Sequence, residues 1–402
     1  MIGGHFLLFA LATVARSVEI DPNGYVIYCP CMGRFGNQVD QLLGSVAFAK
    51  GLDRTLVLPP FIDFSKPGQA AMIPFEEVYQ PKTLGRHLKV ITMGDFKRNI
   101  APEIWPKEKR QALCWSPRES FYQKGSPPGV SQRRATHLGL SGIMLEWSLY
   151  LMLIMEILRY TNFSISDIFH QGGYDLTVSG SRKAWSSNYP SAEYPVLAFT
   201  GAPAAFPSRR KDWETQKYLR WNTKILQKAR SFINQTLTRP FVGIHLRNNV
   251  DWNSVCDHIN SDRTEQLFAS AQCLNDAPRK GDFTRELCSP SEKTVIDAVV
   301  DQVGKIGAKS VYVTSDKDFM VLPLGEALAA YDIKVYTLKE ENPHVALAIL
   351  QESDHFIGNC ISTFTSIVTR HRQFSYAQPR PTTFFGHMPK HDEYAPKKKI
   401  EL

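Results

Sequence analysis

The strongest constraint on the fold is an alternation of elements. Tyr25-Val-Ile-Tyr28 is a short apolar strand, and the loop Cys29-Pro-Cys-Met-Gly-Arg-Phe-Gly36 follows it. Asn37 is placed to cap a helix over residues 37–49, whose apolar face is Leu42, Leu43, Val46, Ala47 and Phe48. Thr55-Leu-Val-Leu58 is the next strand, stopped by Pro59-Pro60. A strand, a helix and a second strand in this order form the first βαβ turn of a doubly wound parallel sheet. The alternation returns in the second half, with strands expected over residues 241–246, 310–314, 334–338 and 355–358 and helices over 294–306, 345–352 and 364–371. Two α/β domains are therefore expected, 18–238 and 239–388, divided near residues 236–239 just before Pro240. The length of 402 residues suits two domains, at roughly 100–200 residues each.

In open α/β sheets ligands bind at the carboxyl ends of strands. That rule brings Gly33-Arg34-Phe35-Gly36-Asn37, Arg247, Ser315-Asp316 and Ser362-Thr363-Phe364 to strand ends that face one another across a cleft. The Gly33–Asn37 loop enters a helix N-terminus, where free amides and the dipole favour an anion, and Arg34 adds a planar cationic fork. A plain tight turn is the alternative for this loop. His245 and Arg247 alternate along one strand and share a face. An arginine at that strand's end can neutralise charge building on a departing diphosphate; a satisfied core histidine and a salt-bridged arginine are the alternative. Asp316 and Ser362-Thr363 are candidates for ligand contact or for simple helix capping.

Composition narrows the class of function. With 43% apolar and 21% charged residues the chain is globular rather than disordered, collagenous or coiled-coil. The net charge of +8 is spread along the chain, and its one dense run, 397–399, is too short for a nucleic-acid arm. The excess suits an anionic ligand. Phe6-Leu-Leu-Phe-Ala-Leu-Ala-Thr-Val-Ala15 followed by Arg16-Ser17 reads as a signal peptide over residues 1–17, too short to span a bilayer, which takes about 20 apolar residues. The last four residues, Lys399-Ile400-Glu401-Leu402 in the tail 389–402, approximate the Lys-Asp-Glu-Leu retrieval signal. Together the two signals imply the lumen of the endoplasmic reticulum. In that oxidising compartment most of the seven cysteines should pair, leaving one over. No zinc-like spacing occurs, so no structural metal is expected. Asn162-Phe-Ser164 and Asn234-Gln-Thr236 are candidate glycosylation sites.

Three long strings carry a closer identification: Cys29-Pro-Cys-Met-Gly-Arg-Phe-Gly-Asn37, Gly243-Ile-His-Leu-Arg247 and Asp354-His-Phe-Ile-Gly-Asn-Cys360. Over residues 20–128 and 180–388 the chain resembles the protein O-fucosyltransferase 1 family. The resemblance implies a GT-B-type fold, two Rossmann-like domains facing across a cleft. It implies inverting transfer of fucose from GDP-fucose, without metal or further cofactor, to Ser or Thr of folded EGF-like repeats, including those of Notch receptors and their ligands. A monomer is expected, with no nucleic-acid partner and no membrane span. By the same resemblance Arg34, Phe35, Gly36, Asn37, His245, Arg247, Asp316, Thr363 and Phe364 bind the donor. Arg247 is the main catalytic residue and Asn37 lies near the reacting sugar. The family's disulfides correspond to Cys29–Cys31, Cys256–Cys288 and Cys273–Cys360, which leaves Cys114 unpaired.

Two departures from the family bear on function. Ala346 stands where the family has an Asp thought to read guanine; charge-assisted bonds of that kind are worth roughly 1.5–3 kcal/mol. Glu352 is the neighbour considered as a substitute. Residues 130–161 are foreign to the family: Val130-Ser-Gln-Arg-Arg134, then an apolar run over 138–158 broken by Glu146 and Glu156. Two central acids make a poor membrane span. Val-Ser is what a splice donor encodes when read through, so we read the segment as a retained intron or misjoined exon, with a lineage-specific insertion as the alternative. These departures keep two other functions open, a lumenal folding helper for EGF-repeat proteins with weak turnover and a fucosyltransferase for another acceptor.

Overall fold

The computed structural model describes residues 19–30, 33–66, 69–106, 110, 112–113, 176, 180–199, 201–257, 259–340 and 342–387. The expected leader 1–17, Cys31, Cys114, residues 130–161, Asn162 and the tail 389–402 lie outside the described residues.

The strands are β1 (Tyr25–Tyr28), β2 (Thr55–Leu58), β3 (Phe61–Lys66), β4 (Gln69–Ile73), β5 (Val90–Thr92), β6 (Ala112–Leu113), β7 (Val196–Phe199), β8 (Phe241–Leu246), β9 (Ser310–Ser315), β10 (Lys334–Tyr336), β11 (His355–Gly358) and β12 (Thr382–Phe384). One parallel sheet runs β5-β2-β1-β7-β6 and a second runs β10-β9-β8-β11-β12, while β3 and β4 form an antiparallel hairpin. The first strand of each half, β1 or β8, is central in its sheet. The chain winds outward on one side and then returns to the other. The order therefore reverses between β1 and β7 and again between β8 and β11, the switch points at which such sheets bind ligands. β1, β2, β7, β8 and β11 are buried along their whole length, which is why they read as unbroken apolar runs.

The two halves share one core. Val39, Leu43 and Val46 of the helix Phe35–Gly51 cluster with Ile225 and Ile233 of the helix Thr223–Thr236, and with Leu347, Leu350, Ile367 and Val368 from the helices Pro343–Gln351 and Thr363–Phe374. A separate core covers the outer face of the second sheet, where Val295, Val299 and Val303 of the helix Glu292–Ile306 meet Val242, Ile244 and Val311. Between the halves lies a sealed ion pair: Arg370 Nη1 stands 2.7 Å from Asp40 Oδ1, with both side chains 1% exposed.

Local starts and stops account for the helix ends. Ser291 caps Glu292–Ile306, and Gly307 ends it in the left-handed region at φ +60°. Asn342 caps Pro343–Gln351 with proline in the first turn. One expectation is corrected. The helix expected from a cap at Asn37 begins at Phe35, and its N-cap is Arg34, which makes no side-chain cap bond. Gly33, at φ +73°, turns the chain early enough that Asn37 lies inside the first turn with its side chain free to point elsewhere. The strand expected over 334–338 stops at Tyr336.

Candidate functional site

Two helix N-termini meet where the sheets face each other. A Cβ on Gly36 would stand 2.7 Å from Thr363 Oγ1 and 2.8 Å from the Phe364 nitrogen, so only glycine allows this approach. Thr363 Oγ1 donates to Asn37 Oδ1 at 2.7 Å, joining the two helix starts directly. The first-turn amides of a helix have no intrahelical partner, and each helix start carries about half a positive charge. Two such starts in contact form a cradle for an anion. Ser362 caps the second helix by accepting from the Phe364 N–H at 3.3 Å, so that amide is already partnered and the remaining first-turn amides are the ones open to an anion.

Arg247, just beyond β8, is the fixed cation beside this junction, with its side chain 16% exposed. Its two Nη atoms donate to Asp251, at 2.9 and 3.3 Å. Nη1 is also ion-paired with Asp316, and the guanidinium carbon lies 5.0 Å from the centroid of the Trp252 ring. The fork is thus held in one plane before any ligand arrives. Burial pulls Arg247 below its ordinary value, and Asp251 opposes that shift. Partial burial acts upward on Asp251, yet Arg247, Arg34 and the Trp252 N–H hold its carboxyl below the usual range. Arg34 is 67% exposed and reaches Asp251 only at 4.0 Å, so it is a second, loosely held cation. Asp316 was expected as a donor contact. Asp316 is ion-paired with Arg247 and accepts from the Asn248 N–H at 2.9 Å, so it also helps to hold the arginine.

His245 is buried within β8, 3% exposed, against the Phe364 ring at 4.7 Å. Burial, then Arg247, pulls it down to about 3, so it is neutral at physiological pH. Phe35 belongs to an aromatic wall, with Phe61 at 5.0 Å and His344 at 4.5 Å between centroids. Ala346 is buried at 3% exposure, and the carboxylate of Glu352, the neighbour considered as a substitute, accepts from Tyr376 at 3.0 Å and from Arg380 at 3.3 Å.

Both described disulfides form as the resemblance implied, Cys256–Cys288 and Cys273–Cys360. Cys29 is disulfide-bonded, while its expected partner Cys31 lies outside the described residues. Cys288 carbonyl oxygen accepts from Trp252 Nε1 at 2.9 Å and from Asn359 Nδ2 at 2.6 Å. These bonds tie the segment after Arg247 to the loop before Thr363. Among the described residues no group of three or more His, Cys, Asp or Glu is placed to hold a metal ion, and no helix is long and apolar enough to cross a membrane.

The structure thus brings Gly36, Asn37, Thr363 and Phe364 together, with His245 against Phe364 and Arg34 and Arg247 flanking Asp251. The sequence reasoning missed Asp251, Asn248 and Thr365. Asp251 had a readable signal, four residues after Arg247. Thr365 had none, because its partner lies 120 residues away.

The model of the GDP-fucose protein O-fucosyltransferase family matches residues 25–375. A GDP-fucose protein O-fucosyltransferase 1 from Caenorhabditis elegans is 47% identical over 374 residues, covering 92% of each chain. Crystal structures of POFUT1 in complex with GDP-fucose are also similar. One has a TM-score of 0.79 at 46% identity, covering 92% of this chain and 99% of that one. Another has 0.77 at 45%, covering 92% and 100%.

Proposed function

Because the chain belongs to the GDP-fucose protein O-fucosyltransferase family and so transfers fucose from GDP-fucose to protein, we propose that the junction of Gly36 with Thr363 and Phe364 seats the diphosphate of the donor, and that the acceptors are Ser or Thr hydroxyls of folded EGF-like repeats, such as those of Notch and its ligands. The observation that carries the reading is the contact of two helix N-termini beside a pre-held arginine. The fucosyl C1–O bond breaks with its electrons moving onto the diphosphate. Arg247, Arg34 and the helix amides face that charge. Stabilisation of developing charge by fixed donors is commonly the largest single contribution to such a step. The acceptor hydroxyl attacks C1 from the opposite side, inverting it, and its proton is released to solvent as the new C1–O bond forms.

Neither Asp251 nor Asp316 is free to act as a base, since both are paired with Arg247. On this reading catalysis rests on the leaving group and on positioning. Asn37, joined to Thr363 through its Oδ1, keeps its amide N–H groups for the sugar. The resemblance to a lumenal family, with the leader and tail signals, supports a place in the endoplasmic reticulum. The test is incubation with GDP-fucose and a folded EGF-like repeat, read by intact mass. Gain of one deoxyhexose on the folded repeat, and none on its reduced form, is expected. Turnover on other protein acceptors but not on folded repeats would overturn the acceptor assignment.

A further inference from the structure

The hydroxyl of Thr365 lies between two partners. The Asn359 N–H donates to its Oγ1 at 3.1 Å, and the same oxygen stands 2.8 Å from Nδ1 of His245. Thr365 is fully buried and His245 nearly so, at 0% and 3% exposure. A hydroxyl has a single proton to give, and leaving it without an acceptor in the interior is costly. The amide is itself a donor and cannot take that proton. His245 Nδ1 is the acceptor within reach. It can accept only when it carries no proton of its own, and the neutral ring then holds its proton on Nε2. The placement is built in. A Cβ on Gly358 would stand 2.3 Å from Thr365 Cγ2, so the glycine at the end of β11 makes room for this threonine. Phe364, the preceding residue, packs on the imidazole face.

We propose that Thr365 is a positioning residue for fucosyl transfer: its hydroxyl locks His245 in the Nε2–H tautomer, so that the ring offers the donor oxygens one N–H and keeps no lone pair free to act as a base. The bond spans β8 and the helix after β11, across the switch point of the second sheet. The catalytic part of this proposal rests on His245 touching the donor; the tautomer does not.

The test begins with wild-type enzyme carrying 15N-labelled histidine and no donor, with the His245 signals assigned through His245→Gln. Expected are an unprotonated Nδ1 and a protonated Nε2, unchanged between pH 5.5 and 8. A protonated Nδ1 would overturn the proposal. Calorimetry of GDP binding then reads the consequence. Thr365→Val keeps the shape and should weaken binding roughly 3- to 10-fold. Thr365→Ser should restore it, with KM for the acceptor unchanged in both. Wild-type GDP affinity in folded Thr365→Val would remove the positioning role. Wild-type GDP affinity in His245→Gln would instead remove the donor contact beneath it, and with it the catalytic part of the proposal, whatever the tautomer.

Discussion

At the scale of single residues, the site depends on where one cation and one missing side chain sit. Arg247 is held by two carboxylates and an indole ring, so its fork is fixed in advance, as the role proposed for it against the diphosphate charge requires. Arg247→Ala should lower turnover about 10²–10³-fold in steady-state assays with an EGF-repeat acceptor. Arg247→Lys should recover little of it, since an ammonium cannot bridge Asp251 and Asp316 in one plane. Near-normal turnover in Arg247→Ala would exclude this arginine from the mechanism. Gly36→Ala tests the junction itself: a methyl group there meets Thr363 Oγ1 and the Phe364 nitrogen, so the two helix starts must separate. GDP affinity should fall by about tenfold, an overpacking cost of 1–3 kcal/mol acting on binding; unchanged calorimetric affinity would place the diphosphate elsewhere. That Arg34, Asn37, His245 and Arg247 gather in one region was readable in the sequence because each belongs to a continuous string at or near a strand end. The contact of Asp316 with Arg247 was not. It is a side-chain contact across 69 positions of chain, which no local pattern carries.

At the scale of elements, the alternation of strands and helices made both sheets visible, because buried parallel strands are short apolar runs and the helices between them carry their own caps. The pairing of elements from different halves was not visible. The helices Phe35–Gly51 and Thr363–Phe374 are packed together, and Asp40–Arg370 is sealed between them. Nothing in Asp40 or Arg370, each on a mostly apolar helix face, distinguishes a partner more than 300 residues distant from a solvated charge. Ser208 N–H donates to Asp40 Oδ2 at 3.2 Å, and Arg370 Nε donates to Gln216 Oε1 at 3.3 Å, so the pair also anchors the segment after β7. Removing one partner strands the other charge in the interior. Asp40→Ala should therefore destabilise the protein by about 3–5 kcal/mol in denaturant titrations. Replacing both, as Asp40→Leu with Arg370→Met, should return most of that loss, because a buried pair costs much of its attraction in lost hydration. A single variant as stable as wild type would show that water reaches the pair.

At the scale of the whole molecule, the buried histidines set how the fold responds to acid. His245 and His371 are pulled down to about 3 and His344 and His355 to about 4, in each case by burial first. Neighbouring cations add to this: Arg247 at His245, Arg220, Arg380 and Arg372 at His371, and Arg372 and Lys305 at His355. Asp63 acts the other way at His344, and Asp301 at His355, without reversing the shift. In the unfolded chain all four titrate near the ordinary value of about 6.5. Between about 6.5 and 3–4 the unfolded state therefore binds protons that the native state refuses, and stability falls as pH falls. Above about 6.5 neither state binds them, and this contribution is fully present. Melting temperature should be level from pH 8 to 7 and then decline through 6 and 5, before the carboxylates begin to protonate. His355→Gln, which keeps a polar contact for Thr383 but cannot titrate, should flatten the decline by one proton's share. Turnover measured on the folded enzyme should show no acid limb from His245 over the same range, since its ring stays neutral. A melting temperature that stays level down to pH 5 would mean that these imidazoles take up protons in the native state, and the neutral ring assigned to His245 would fall with it.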